Sequence, residues 1–228
     1  MATIAANIQQ VRDRIARACA AAQRPVQSVT LLSVSKTFSP EAVREAFAAG
    51  ERRFGENYVQ EGVDKITALA DLRDQIEWHL IGPLQSNKTR VVAEHFDWVH
   101  SVDRLKIADR LNAHRPSHLP ALQVCLQVNI SGEASKSGIA GAELAALAHA
   151  VAALPRLRLR GLMAIPDPST NPNQQAAPHR ALRELLERLQ HEGLPLDTLS
   201  MGMSADLEAA ITEGATLVRV GTAIFGTR

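Results

Sequence analysis

The sequence predicts an α/β fold, a (β/α)8 TIM barrel with an extra N-terminal helix. Three observations carry that expectation. Eight short β-type runs alternate with helical patterns along the chain. Their starts lie roughly 27 residues apart on average, close to the ~30 residues of a βαβ unit. No GxGxxG motif accompanies them, which favours a closed barrel over the doubly wound open sheet that shares the same alternation.

The elements follow in order. In "MATIAANIQQVRDRIARACAAAQRP", Ile4, Ile8, Val11 and Ile15 fall at i, i+4, i+7 and i+11, with Arg12, Asp13 and Arg14 around them. That stripe reads as an amphipathic helix of the fold rather than an Arg-containing targeting peptide. The β-type runs are "SVTLLSVSK" (28–36), "RRFGEN" (52–57), "IEWHLIG" (76–82), "FDWVHSV" (96–102), "LQVCLQVNI" (122–130), "LRLRGLMAIP" (157–166), "TLSMGM" (198–203) and "TLVRVGTAIF" (216–225). Helical stretches between them include "SPEAVREAFAAG", "SNKTRVVAEH", "DRLKIADRLNAH", "GAELAALAHAVAAL" and "APHRALRELLERLQHEG", several opening on Ser or Asp and two closing on Gly. The stretch "PDPSTNPNQQAAPH" (166–179) reads as a mobile loop after the sixth strand. No linker or charge block divides residues 1–228, which are expected to form one domain.

Composition excludes several classes of function. Lys and Arg total 25 against 24 Asp and Glu, a net charge of +1, and aromatics are 4%, so neither a basic nucleic-acid surface nor a base-stacking platform is expected. Cys19 and Cys125 form no CxxC, and the eight histidines form no HExxH, which argues against a disulfide framework and a metal centre and for a reducing, cytoplasmic compartment. No apolar run is long enough to span a bilayer.

In a barrel the active site lies at the C-terminal ends of the strands. Lys36 ends the first run, on the strand face of Leu32 and Val34. It is either a snorkelling lysine or a desolvated amine able to form a Schiff base with a carbonyl compound. After the seventh run, Ser204 is placed to cap a helix whose N3 residue is Leu207, so the first-turn N–H groups are left for an anion. Gly221 and Thr222 after the eighth run add a close backbone approach and a hydroxyl; a plain cap and a plain turn are the alternative. Arg219 shares the strand face of Gly221 and needs a partner inside the barrel, a ring nitrogen or a carboxylate. Together these features describe a site for pyridoxal 5′-phosphate.

The motifs "SVSKTF", "FGENYVQE", "WHLIGPLQSNK", "SVDRLKIADRLN", "GLMAIP", "LSMGMSADLEAAI" and "VRVGTAIFG" resemble, in order and over nearly the whole chain, the pyridoxal phosphate homeostasis protein family. That family is a barrel related to the N-terminal domain of alanine racemase and is associated with vitamin B6 and amino-acid homeostasis. The resemblance implies a Schiff base on Lys36, phosphate at Ser204, Gly221 and Thr222, Arg219 at the pyridine nitrogen, and Asn57 and His79 near the ring. Phe38 stands where many members have a second lysine. Lys136, after the fifth run, faces either solvent or the same mouth.

Racemases of this fold need a second base, a tyrosine supplied with the help of a C-terminal domain. Here the chain ends at Arg228 and its single tyrosine is Tyr58, so that apparatus is expected to be missing. The expectation is therefore a cytoplasmic, monomeric protein that holds and releases pyridoxal phosphate, with transient contacts to apoenzymes that need it and none to nucleic acid or membrane. An amino-acid racemase or lyase using the same cofactor is the alternative, and a barrel enzyme acting on a sugar phosphate is the third reading.

Overall fold

The computed structural model describes residues 3–131 and 137–226. Among them eight strands close into a barrel: β1 (Thr30–Val34), β2 (Arg53–Glu56), β3 (Glu77–Leu80), β4 (Trp98–Val102), β5 (Leu122–Gln127), β6 (Leu157–Met163), β7 (Thr198–Ser200) and β8 (Leu217–Val220). All pairings are parallel and run in sequence order, with β8 returning to β1 through Leu32 opposite Arg219. Each run read from the sequence contains one strand, and most of the strands stop short of their run's C-terminal end. The residues left over build the mouth. The eighth run differs most, because β8 ends at Val220 and residues 222–225 turn into a short helix instead of extending the strand.

The α-helices are α1 (Ile4–Ala21), α2 (Pro40–Ala48), α3 (Val59–Ala68), α4 (Thr89–His95), α5 (Leu105–His114), α6 (Leu144–Ala152), α7 (Pro172–His191), α8 (Leu207–Thr212) and α9 (Thr222–Phe225). Thr3 caps α1 by accepting from the Ala6 N–H, and the helix buries Ile8, Val11, Ile15, Ala18 and Cys19. It packs against α2, α8 and α9, and so fills the place in the outer ring that a long helix after β8 would take. Asn7 Nδ2 donates to the Ile224 carbonyl at 2.8 Å and Arg14 pairs with Glu208, tying this helix to the β8 end.

Residues 166–179 are not one loop. Asn171 accepts from the N–H groups of Asn173 and Gln174, and Pro172 follows at the start of α7, so helix begins there and runs through Pro178. A proline just after a capping Asn is a helix-start signal, outweighed in the sequence reading by the Pro and Asn content.

Most of the apolar core, including Phe54, Trp78, Phe96 and Leu111, lies between the strands and the helix ring. Inside the barrel two smaller groups remain, Leu32, Val34, Ile81 and Leu217, and Trp98, Cys125 and Met163. Between them sit His79, His100, Ser200 and Arg219, all buried. Burial pushes the Cys125 thiol up to about 12, so it packs as an uncharged group. Among the described residues no helix is long and apolar enough to cross a membrane, and no cluster of side chains could hold a metal ion.

Candidate functional site

A cavity of about 670 Å³ opens at the C-terminal ends of the strands. It is lined by Val34, Lys36, Thr37 and Phe38 from the end of β1, Asn57 after β2, Ile81 after β3, Ile165 after β6, Met203, Ser204 and Ala205 after β7, and Arg219, Gly221, Thr222 and Gly226 at β8. Six of the seven residues expected at a site are therefore brought together: Lys36, Asn57, Ser204, Arg219, Gly221 and Thr222. Lys136 lies outside the described residues.

Lys36 does not end a strand. β1 stops at Val34, and Lys36 lies in the turn that follows, exposed at the cavity edge. The exposure leaves the ammonium in contact with solvent, as in the snorkelling reading. The turn is held from beneath by buried charge. Ser35 Oγ donates to Glu56 Oε1 at 2.6 Å. Lys65 Nζ donates to the Ser35 carbonyl at 2.6 Å, to Glu56 at 2.8 Å and to Glu61 at 2.7 Å. Glu61 also accepts from the Thr37 N–H. Thr37 adopts φ +70, uncommon for a β-branched residue, so Lys36 is presented by a turn that its neighbours must hold in place. Burial raises the Glu56 carboxyl, opposed by the charge and hydrogen bond of Lys65. Sequence reasoning missed this clamp. Its trace was Lys65 sharing one face of α3 with Gly62 and Ile66.

Arg219 is 4% exposed. Its Nη1 donates to the Ser200 carbonyl at 2.6 Å and to Ser200 Oγ at 2.8 Å, and its Nη2 to the Ala164 carbonyl at 2.9 Å. That uses three of five N–H groups and leaves two without a partner among the described residues. Burial lowers its pKa to about 10, opposed by the charge of Asp206, so it is a cation at neutral pH.

Ser204 is not a helix cap. Helix α8 starts at Leu207, after Asp206, whose Oδ1 accepts from the Met203 N–H at 2.6 Å while Oδ2 lies 3.0 Å from His179 Nε2. Gly202, at φ +90 and with Ala210 Cβ 2.5 Å from where a Cβ would stand, turns the chain tightly. The following residues make a further turn before the helix can begin. Ser204 still lines the cavity, and among the described residues no acceptor meets the N–H groups of Ser204, Ala205, Gly221 or Thr222. Gly82 holds Asn57 in position, since a Cβ there would fall 2.1 Å from the Asn57 carbonyl oxygen. Phe38 stacks on Phe225 at 5.1 Å and makes the rim apolar. Tyr58, 60% exposed, is not among the residues that line the cavity.

His79 is the one expected residue that does not line this cavity. It lies within β3, fully buried and stacked on Trp98 at 5.2 Å, and it borders a smaller cavity with Thr30, Arg53, Glu77 and Arg160 at the N-terminal end of the barrel. Two-residue alternation puts 79 and 81 on the same face, but Ile81 is the one that reaches the mouth. His79 Nδ1 is 2.9 Å from His100 Nε2, and His79 Nε2 is 2.9 Å from Glu77 Oε1.

Burial lowers the pKa of both histidines, against the hydrogen bond from His79 to Glu77 and with the neighbouring Arg219 adding to the effect at His100. Burial would raise the Glu77 carboxyl, but the hydrogen bond from His79 and the charge of Arg53 bring it down to about 2. These depressed values have one sign: the unfolded chain binds the protons first, so stability is present at neutral pH and lost on acidification. The urea midpoint is expected to fall from pH 6.5 downward as unfolded histidine, with its ordinary value of 6.5, takes up protons. A second fall is expected between 4.5 and about 2 through Glu77, worth about 1 kcal/mol once screening is allowed for, its side chain being 39% exposed. A midpoint unchanged from pH 7 to 5 would contradict neutral, buried histidines.

The sequence model of the alanine racemase N-terminal domain matches residues 1–228. A pyridoxal phosphate homeostasis protein of Pseudomonas aeruginosa is 63% identical over 228 residues, covering 100% of this chain and 97% of that protein. One from Escherichia coli K12 is 57% identical over 229 residues, covering 100% and 98%. Among solved structures, PipY of Synechococcus elongatus with pyridoxal phosphate bound is 40% identical, with a TM-score of 0.86 over 98% of this chain and 100% of that one.

Proposed function

The chain belongs to the alanine racemase N-terminal domain family, and from its likeness to the pyridoxal phosphate homeostasis proteins within it we propose that it holds pyridoxal phosphate at the barrel mouth and releases it. One observation carries the reading. A single cavity joins an exposed lysine amine, a buried arginine with two unused donors and four unsatisfied backbone N–H groups. An aldehyde, a pyridine nitrogen and a phosphate are what those groups fit, and bound pyridoxal phosphate supplies all three.

In this reading the Lys36 amine makes the covalent attachment. The Ser204 hydroxyl and the N–H groups of Ser204, Ala205, Gly221 and Thr222 hold the phosphate, as backbone amides in tight turns do. Arg219 donates to the ring nitrogen and, being a cation that does not give up its proton, leaves that nitrogen unprotonated; this weakens the ring as an electron sink and favours holding over carbanion chemistry. Asn57 lies beside the ring, and the Phe38 and Phe225 pair shields one edge from water. A cytoplasmic, monomeric barrel that meets apoenzymes transiently completes the proposal.

The test is borohydride reduction of protein loaded with pyridoxal phosphate, followed by peptide mass spectrometry. The expected result is a visible band lost on reduction and a reduced adduct on Lys36, absent in Lys36→Ala. No band, or a band indifferent to Lys36→Ala, would overturn the assignment. Deuterium incorporation at Cα of amino acids at a turnover rate dependent on Lys36 would instead make the protein an enzyme.

A further inference from the structure

We propose that Glu77, His79, His100 and Ser200 form one directional hydrogen-bond relay along the barrel axis, and that they are positioning residues for Arg219. The direction follows from the two ends. Arginine only donates, so Ser200 Oγ, 2.8 Å from Arg219 Nη1, accepts there. The Ser200 proton then points to His100 Nδ1 at 2.8 Å. With Nδ1 accepting, neutral His100 carries its proton on Nε2 and donates to His79 Nδ1 at 2.9 Å. His79 in turn carries its proton on Nε2 and donates to Glu77 Oε1 at 2.9 Å. A carboxylate only accepts, so the far end demands the same direction as the near one.

The arrangement answers a problem of burial. Arg219 has no carboxylate in contact, and its three protein acceptors are the neutral oxygens of Ser200 and Ala164. The relay aligns three dipoles, the Ser200 hydroxyl and the His100 and His79 rings, with their negative ends towards the cation and terminates in Glu77, which also meets Arg53 at 3.2 Å. The groups facing His79 are His100 and Glu77, with the charges of Asp97 and Arg53 beyond; those facing His100 are His79, Ser200 and Arg219. A proton added to His79 Nδ1 would set two donors face to face, and one added to His100 would place a second buried cation beside Arg219. With Nη1 held on Ser200, the guanidinium turns its unused N–H groups to the cavity. This role for Arg219 rests on the reading of the mouth as a pyridoxal phosphate site; the relay itself does not.

Two measurements test the relay. In ligand-free protein labelled with ¹⁵N-histidine, His79 and His100 are expected to show unprotonated Nδ1 and protonated Nε2 throughout pH 7–8. The opposite tautomer, or titration of either ring in that range, would overturn the relay. In protein loaded with pyridoxal phosphate, Ser200→Ala is expected to speed cofactor release about tenfold, the effect of one hydrogen bond, with Lys36 still labelled by borohydride and the release rate restored by Ser200→Thr. Unchanged release in Ser200→Ala, with Lys36 labelled, would refute the positioning role. Absence of labelling in the unsubstituted protein would refute the cofactor reading alone and leave the tautomer result to stand by itself.

Discussion

Lys65→Met is expected to cost the fold roughly 3–5 kcal/mol, the range for breaking a buried ion pair by removing one partner, and to slow covalent loading of Lys36. Methionine keeps most of the volume, so the loss is electrostatic rather than a cavity. The side chains of Lys65 and Glu56 are 4% and 0% exposed, and Glu56 Oε2 already has no partner among the described residues. Without the ammonium, Glu56 keeps only the Ser35 hydroxyl, and the Ser35 carbonyl loses its 2.6 Å donor. The turn carrying Lys36 at the strained Thr37 is then held by the 3.0 Å bonds of the Ser35 and Phe38 N–H groups and by Glu61. The sign of the pH effect is fixed by Glu56. Its carboxyl is raised in the fold, so the folded variant takes up a proton more readily than the unfolded chain, and the deficit is smaller at pH 5 than at pH 8. Urea unfolding at both values, with the borohydride label read on the same samples, checks this. Glu56→Gln combined with Lys65→Met is expected to recover part of the loss. Equal stability of Lys65→Met and the unsubstituted chain would mean that the cluster does not hold the turn.

The barrel was legible because its signals are local: two-residue alternation, strand spacing, and Ser or Gly at helix ends. The mouth was legible because the architecture itself assigns strand ends to it, which is why Lys36, Asn57, Arg219, Gly221 and Thr222 all line one cavity. Depth was not legible. Periodicity gave His79 its face but not its level, and one alternate position, His79 against Ile81, separates the opposite ends of the barrel. Ser204 failed as a cap because the extra turn after Gly202 depends on a backbone conformation that residue type alone does not specify. Lys65 and Glu56 went unread because a charged residue on a helix or strand is assigned to solvent unless its neighbours say otherwise. The relay lies still further from local reading, with Ser200 separated from His100 by 100 residues and Arg219 from Ala164 by 55; closure of the barrel brings them together.

Arg219→Met separates two functions of one residue, and its expected result is a loss of pyridoxal phosphate affinity of about 10- to 100-fold, the effect of a hydrogen bond from a charged donor, with the attachment at Lys36 retained. Lys36 and Arg219 approach the cavity from β1 and β8 and share no hydrogen bond, so removal of the guanidinium leaves the attacking amine where it was. Stability is pulled in two directions. The two carbonyls and the Ser200 hydroxyl lose a buried donor, at about 1–3 kcal/mol each when left unpaired. Against this, a fully desolvated cation disappears, and burying an apolar chain in place of a charge recovers much of that cost. The net change is therefore expected to be a few kcal/mol at most, small enough for the variant to be purified and titrated. Equilibrium binding measured by the visible band, alongside mass spectrometry of the Lys36 adduct, reads the two functions separately. Affinity kept within twofold would mean that the ring nitrogen does not meet Arg219, whereas loss of the adduct in a folded variant would mean that Arg219 acts on the aldehyde end instead.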